Sequence, residues 1–169
     1  MPINRLNHAV LFVRDADRSA DFYTAVLGFR RLPFNFPGGV FLQAEGSSND
    51  HDLGLFTIGE GAADSPAGKS AVGLYHLAWE VDTLGDLAAL ATRLSDAGAL
   101  VGATDHGSTK ALYGRDIDGI EFEVSWLVPA DHLEPDTTPV SRRLDLDAEI
   151  ERFGADTLGG VGVSRQMIG

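Results

Sequence analysis

Five histidines, at positions 8, 51, 76, 106 and 132, are the residues of this chain best suited to metal or proton chemistry. Imidazole titrates near neutral pH and is the commonest metal ligand. A single histidine is ordinarily a satisfied polar residue, so spacing has to separate ligands from bystanders. Two of the five stand out. Leu6-Asn-His-Ala-Val-Leu-Phe-Val13 recurs as Leu74-Tyr-His-Leu-Ala-Trp-Glu-Val81, with leucine, histidine and valine in identical places 68 positions apart. A repeated segment predicts two copies of one unit packed about a pseudo-twofold axis, which would bring His8 and His76 together there. A structural histidine does not require that meeting, whereas metal ligation uses it.

A third ligand has to come from another strand. In Ile120-Glu-Phe-Glu-Val-Ser-Trp126 the apolar Ile120, Phe122, Val124 and Trp126 alternate with Glu121, Glu123 and Ser125, the pattern of a strand with one buried face. Alternation alone describes a solvated outer face. Beside two imidazoles, however, one of these carboxylates completes a two-histidine, one-carboxylate triad, which leaves positions open for substrate and oxygen. Spacing does not choose between Glu121 and Glu123.

Strands must carry these groups. Residues 6–13 read as a buried strand. Asp15 or Asp17 then offers an N-cap, Ala16, Ala20, Tyr23 and Leu27 follow at helical spacing, and Gly28 stands where a left-handed C-cap glycine belongs. Strand-like pieces come at 30–34, 39–44 and 52–58, and a small, polar stretch from Gly59 to Gly73 connects two halves. The pattern then restarts with strand 74–81. A Thr83–Asp86 capping box opens a helix with Leu87, Leu90, Ala91 and Leu94 on one face, Gly98 closes it, and strands follow near 100–104, 109–115 and 120–127. The expected class is therefore α+β, with two βαβββ modules at about 1–60 and 70–128 in one domain, 1–128. The tail, 129–169, differs. Pro129, Pro135 and Pro139 break regular structure, and Leu146, Ile150 and Phe153 mark one short amphipathic helix before a Gly-Gly-Val-Gly-Val-Ser run. An arm over a dimer partner, a lid and a frayed end all fit that tail.

Composition narrows the chemistry. The 169 residues suit a single domain, and 44% hydrophobic with 22% charged residues argues against a disordered chain. Thirteen basic against twenty-five acidic residues give a net charge of −12, which repels phosphate backbones and anionic lipid, so no nucleic acid is expected as a partner. With no cysteine, disulfides, thiolate zinc sites, iron–sulfur clusters and cysteine nucleophiles are excluded together. The apolar run Ala9–Val13 stops at Arg14, too short for a signal core, and no stretch nears the roughly 18 apolar residues of a membrane span. The expectation is a soluble, cytoplasmic protein with no membrane partner.

Leu6-Asn-His-Ala-Val-Leu-Phe-Val-Arg-Asp15, with Asp21-Phe-Tyr-Thr-Ala-Val-Leu-Gly-Phe29, resembles the opening of the vicinal oxygen chelate superfamily, which includes glyoxalases, bleomycin-resistance proteins and extradiol dioxygenases. Asp116-Ile-Asp-Gly-Ile-Glu-Phe-Glu123 resembles that family's closing Asp-Pro-Asp-Gly-Asn-x-x-Glu signature, with Ile117 and Ile120 departing from the usual proline and asparagine. The resemblance spans about residues 6–127. It implies a cupped mixed sheet around one metal and puts the metal-binding glutamate at Glu123. Shifting Glu123 back by 68 positions lands on Leu55, so the fourth protein ligand that glyoxalase I enzymes take from that region is missing. A three-ligand site is what extradiol enzymes and metal-dependent fosfomycin-resistance transferases share.

Two further segments resemble the extradiol branch. Asn49-Asp-His-Asp-Leu-Gly-Leu-Phe56 is similar to a stretch whose histidine acts as acid and base beside the metal, here His51. Asp105-His-Gly-Ser-Thr-Lys-Ala-Leu-Tyr113 is similar to one whose histidine and tyrosine hydrogen-bond the catecholate, here His106 and Tyr113. Read alone, His51 caps the start of a strand, His106 is turn chemistry beside Gly107, Tyr113 is core and His132 is surface. Lone basic residues such as Lys110 and Arg115 solvate a face or steer an anionic substrate. Parity puts His51, Leu53 and Leu55 on one face, with Leu55 as the partner of Glu123. At ~3.3 Å per residue, His51 then lies roughly 13 Å along the strand and has to be brought back toward the metal.

The resulting reading is a metal-dependent extradiol-type ring-cleavage dioxygenase acting on a small catecholic aromatic with dioxygen. His8, His76 and Glu123 would hold Fe(II), or Mn(II) in its place. His51 would supply acid–base catalysis, His106 and Tyr113 would orient the substrate, and the chain would pair as a homodimer. The alternatives are a glyoxalase-like lyase or isomerase, an antibiotic-modifying transferase, and a metal-free drug-sequestering protein of the bleomycin-resistance kind.

Overall fold

Polar side chains at the heads of two apolar runs decide where the main helices begin. Asp15 accepts hydrogen bonds from the backbone N–H groups of Asp17 and Arg18, capping α1 (Ala16–Leu27). Gly28 ends the helix at φ 79°, a left-handed conformation that costs glycine nothing and a side-chain-bearing residue about 1 kcal/mol or more. Thr83 and Asp86 exchange both hydrogen bonds of a capping box at the start of α2 (Leu84–Asp96). Each helix buries one stripe: Ala16, Ala20, Tyr23 and Val26 on α1, and Leu84, Leu87, Leu90 and Leu94 on α2.

The computed structural model describes residues 2–3, 5–34, 36–67, 70–133 and 138–160. Two compact units result: the first runs to Ser65 and includes Asp116–Gly119, and the second holds the remainder. In the first, β1 (Ala9–Val13) precedes α1, and β2 (Arg30–Arg31), β3 (Gly39–Gln43) and β4 (Leu53–Thr57) follow it. They form one sheet in the order β1-β4-β3-β2, with β1 parallel to β4 and the other neighbours antiparallel. Leu11, Val13, Leu42, Leu53 and Leu55 are buried there. The short segment Asp116–Gly119 completes this unit: Tyr23 donates to Asp116 at 3.1 Å, and Asp118 accepts from both the backbone and the guanidinium of Arg14.

The second unit repeats the plan. β5 (Leu77–Glu80), α2, β6 (Leu100–Asp105), β7 (Thr109–Arg115) and β8 (Glu121–Leu127) give the order β5-β8-β7-β6, again with the first strand parallel to the last. Phe122, Val124 and Trp126 are buried, and each such apolar side chain removed from water contributes roughly 1.5–3 kcal/mol. Two βαβββ modules of mixed sheet are therefore present, as the repeat predicts.

The described part of the tail is folded onto the second unit rather than frayed. β9 (Arg142–Arg143) extends the sheet beside β6, and α3 (Leu146–Phe153) follows, capped by Asp145. The Trp126 indole N–H donates to Thr157 O at 3.0 Å. Pro135 and the glycine-rich run from Val161 onward lie outside the described residues. Lys110 departs from the solvated reading. Its side chain is 1% exposed, with Nζ 2.6 Å from Asp105 Oδ1 and 3.0 Å from Glu149 Oε2. Strand parity points Lys110 under the tail, and two carboxylates compensate its desolvation. Burial alone would raise the Asp105 carboxyl, yet Lys110, the Gly107 N–H and Arg142 together hold it below its ordinary value.

Candidate metal and acid–base site

In the first unit the parallel pairing of β1 with β4 aligns Ala9 with Leu53, and the Ala9 N–H donates to Asp52 O at 3.0 Å. The residues just ahead of these two strands therefore lie side by side. The rings of His8 and His51 stand 4.4 Å apart. His8 Nδ1 meets Asn7 Oδ1 at 2.7 Å; with the proton on Nδ1, the Nε2 lone pair is available to a metal. His51 is mostly buried, its Nδ1 is 3.2 Å from Asp50 Oδ1, and its backbone N–H donates to Asp50, which keeps that carboxyl below its usual range.

Asp52 sets the loop that presents His51, a role that motif reading passed over. Its buried carboxylate accepts from the Ala44 N–H, the Ser47 hydroxyl and the Asn49 amide at 2.8, 2.7 and 2.8 Å. The signal was the Ser47, Asn49 and Asp52 cluster, whose short polar side chains build turns by bonding nearby backbone. Aromatic rings extend from His51. Phe41 lies 5.0 Å from it, Phe34 lies 5.2 Å from Phe41, and Phe36 lies 5.2 Å from Phe56.

In the second unit Glu123 is the hub. The β7–β8 register sets Tyr113 directly across from Glu123, and β5 sets Ala78 beside it. His76 Nε2 is 3.2 Å from Glu123 Oε2, and Ser125 Oγ donates to Glu123 Oε1 at 2.5 Å. The Tyr113 hydroxyl meets His106 Nε2 at 2.9 Å, and His106 Nδ1 donates to Val140 O at 3.0 Å. Burial, followed by the Glu123 charge and hydrogen bond, pushes the Tyr113 hydroxyl up to about 12. Glu121 is occupied elsewhere: it accepts two hydrogen bonds from the Arg115 guanidinium and also bonds Tyr75.

The His76–Glu123 pair has the donor chemistry and spacing of two divalent-metal ligands. Cis ligands with bonds of ~2.1 Å lie about 3.0 Å apart, close to the 3.2 Å separating His76 Nε2 and Glu123 Oε2. His76 Nδ1 is buried without a hydrogen-bond partner. Among the described residues, no three His, Asp or Glu side chains are grouped so as to hold a metal. His8 belongs to the first unit, and His76 and Glu123 belong to the second.

The internal comparison needs a correction of one residue. Leu53 pairs with Ala9 and Phe122 with Leu77, so the first-module counterpart of Glu123 is Gly54 and not Leu55. Leu53 and Leu55 are fully buried, like Phe122 and Val124. A Cβ on Gly54 would lie 3.3 Å from Val10 Cγ2 and 3.5 Å from the Phe41 ring. Gly54 itself carries no ligand atom, and the nearest groups its Cβ would meet are apolar. His132, expected at the surface, is exposed and stacks on Phe153 at 6.0 Å.

Known proteins share this plan. The family model described as the Glyoxalase/Bleomycin resistance protein/Dioxygenase superfamily matches residues 5–124. A curated relative from Bacillus subtilis (strain 168) described as Catechol-2,3-dioxygenase is 30% identical over 119 residues, covering 70% of this chain. The chain spans 40% of that relative's length. A glyoxylase/bleomycin resistance protein/dioxygenase domain from Frankia sp. EAN1pec superposes with a TM-score of 0.60 at 27% identity, covering 73% of this chain and 98% of the other. A lactoylglutathione lyase from Agrobacterium tumefaciens shares the fold at a TM-score of 0.54 and 23% identity, covering 74% of this chain and 95% of its own. The two repeated βαβββ modules agree with these matches, and the chain belongs to the glyoxalase/bleomycin resistance protein/dioxygenase superfamily.

Proposed function

We propose that this protein is an extradiol-type dioxygenase that opens the ring of a small catechol with dioxygen, using Fe(II), or Mn(II), held by His8, His76 and Glu123. The observation that carries the reading is His51, whose ring stands 4.4 Å from that of His8 at the end of a row of phenylalanines. An acid–base group must stand beside the ligand shell without belonging to it. The bound metal supplies the route by which electrons pass from an electron-rich ring to oxygen.

The protein's own groups do the rest. His51 takes the proton of a catechol hydroxyl and later returns one. The faces of Phe34 and Phe41 receive the ring and exclude water. In the second module, Val140 O can only accept, so His106 Nδ1 carries a proton and Nε2 faces the Tyr113 hydroxyl. Tyr113 has one proton to place between His106 and Glu123. Because that hydroxyl stays protonated up to about 12, it serves as a hydrogen-bond donor at neutral pH rather than as a base. Gly54 in the fourth-ligand position favours an open three-ligand centre over the four-ligand glyoxalase I arrangement. The similarity to the B. subtilis relative supports the same chemistry.

The test is anaerobic reconstitution with Fe(II), followed by a catechol panel monitored for oxygen uptake and the yellow ring-fission product. Turnover on at least one catechol is expected. Full metal loading with no oxygen uptake on any of them would discard the dioxygenase in favour of a metal-dependent lyase or transferase.

A further inference from the structure

Beyond the candidate metal site, we propose that the second module binds a small organic carboxylate in a cavity built by the tail. The cavity has a volume of about 210 Å³ and is bounded by the turn at Gly107 and by residues of β9, α3 and the preceding single turn, Ala130–His132. Its lining combines apolar Val128, Leu133 and Phe153 with Arg142, Arg152 and His132.

Charge accounting singles out Arg152. Lys110 and Arg142 are matched by Asp105 and Glu149 in one linked set of ion pairs, so that cluster is neutral. Among the described residues Arg152 has no carboxylate within ion-pair distance; its guanidinium lies 4.6 Å over the Phe153 ring. The same ring is approached by Lys110 Nζ at 5.7 Å and stacked by His132. Arg142 commits only Nε to Asp105, leaving its Nη groups as donors. Arg152 is thus the cation on this ring with no carboxylate at ion-pair distance among the described residues, in a protein whose net charge is −12. An anion in the cavity supplies Arg152 with a counter-charge, and the guanidinium fork matches a carboxylate in two parallel hydrogen bonds.

The walls set the rest of the ligand. The apolar lining of Val128, Leu133 and Phe153 receives an apolar body, and the volume admits one of about the size of a single ring. An inorganic anion would leave that apolar lining unused. The opposing role for Arg152 is local, because it occupies the last turn of α3, where a cation offsets the helix dipole.

Benzoate, with benzamide as its neutral isostere, tests the site on the full chain by calorimetry and by NMR of the Gly107 amide and the Arg152 Nε–H. Saturable benzoate binding that shifts both signals is expected. Benzamide and the variant Arg152→Gln should each bind at least ~10-fold more weakly, the loss of about one charged hydrogen-bond pair, while Arg152→Lys should recover part of the affinity. Circular dichroism checks that the variants are folded. No saturable response to benzoate, equal binding of benzamide, or full affinity in Arg152→Gln would overturn the site. So would a benzoate response abolished by Glu123→Gln but not by Arg152→Gln, which would put the anion at the candidate metal centre. The outcome is independent of whether catechols are turned over.

Discussion

The rings of His8 and His51 lie 4.4 Å apart although a helix and three strands separate them in the chain. Counting along β4 alone leaves His51 remote from the ligand positions. Counting across the parallel ladder makes it a neighbour, because the N–H of Ala9, the first residue of β1, donates to Asp52 O just ahead of β4. Replacement of His51 by alanine should therefore leave metal content unchanged but reduce catechol turnover by on the order of 10²–10⁴, the range of a general acid–base group. Steady-state oxygen uptake checks this, and an unchanged rate would remove His51 from the mechanism.

Glu123 and Glu121 lie two residues apart on one face of β8, but only Glu123 stands at 3.2 Å from His76. Alanine at His8, His76 or Glu123 should sharply lower the iron retained after anaerobic reconstitution and desalting. Glu121→Ala should keep it, since Glu121 is engaged by Arg115 and Tyr75. Elemental analysis of the four variants decides the matter. Full occupancy in His76→Ala would refute the assignment.

All three tyrosines are shifted in the same direction. Burial and then Asp116 raise Tyr23 well above 10.0, the Glu121 hydrogen bond raises Tyr75, and burial followed by Glu123 raises Tyr113 to about 12. The folded chain therefore holds protons that the unfolded chain releases near pH 10. Stability should be flat with respect to these groups below pH 10 and fall as pH rises from 10 through 12. Absorbance at 295 nm should show little phenolate in the native protein at pH 10 and full ionisation in urea. Tyr113→Phe should soften the alkaline decline in Tm. A native midpoint at the unfolded value would contradict the geometry around Tyr113.

Lys110 sits between Asp105 and Glu149 with 1% of its side chain exposed. Lys110→Met keeps the volume but leaves two carboxylates without their shared cation. Breaking a buried pair in this way should cost about 3–5 kcal/mol in urea unfolding. Protection of the tail amides from hydrogen exchange should fall first, because Glu149 and Arg142 belong to it. A loss below about 1 kcal/mol would show that the pair is no stronger than a surface contact.

A homodimer is expected in solution. β1 is an edge strand, and Phe12 and Val10 on it are 68% and 43% exposed; pairing covers apolar edges of this kind in small proteins. Light scattering at low micromolar concentration should give twice the 18.0 kDa chain mass, and a mass of one chain would refute pairing.

Local chemistry wrote much of this protein into its sequence. Asp15, Gly28, Thr83 and Asp86 mark helix ends because caps are satisfied within a few residues. The alternation of Phe122, Val124 and Trp126 with Glu121, Glu123 and Ser125 reads directly as a buried and a polar face. The recurrence of the segment around His8 at His76 shows the duplication without any structure. What sequence could not decide was lateral. Strand register depends on which backbones meet across a sheet, and a slip of one residue exchanges the faces; hence Gly54 rather than Leu55 opposes the role of Glu123. Burial of charge is likewise a tertiary outcome. Lys110 looks like a surface cation until β9 and α3 fold over it and bring Glu149 and Arg142 to the same carboxylate cluster. The distinction between Glu121 and Glu123 has the same origin, because the competing partner, Arg115, reaches Glu121 only across the antiparallel ladder.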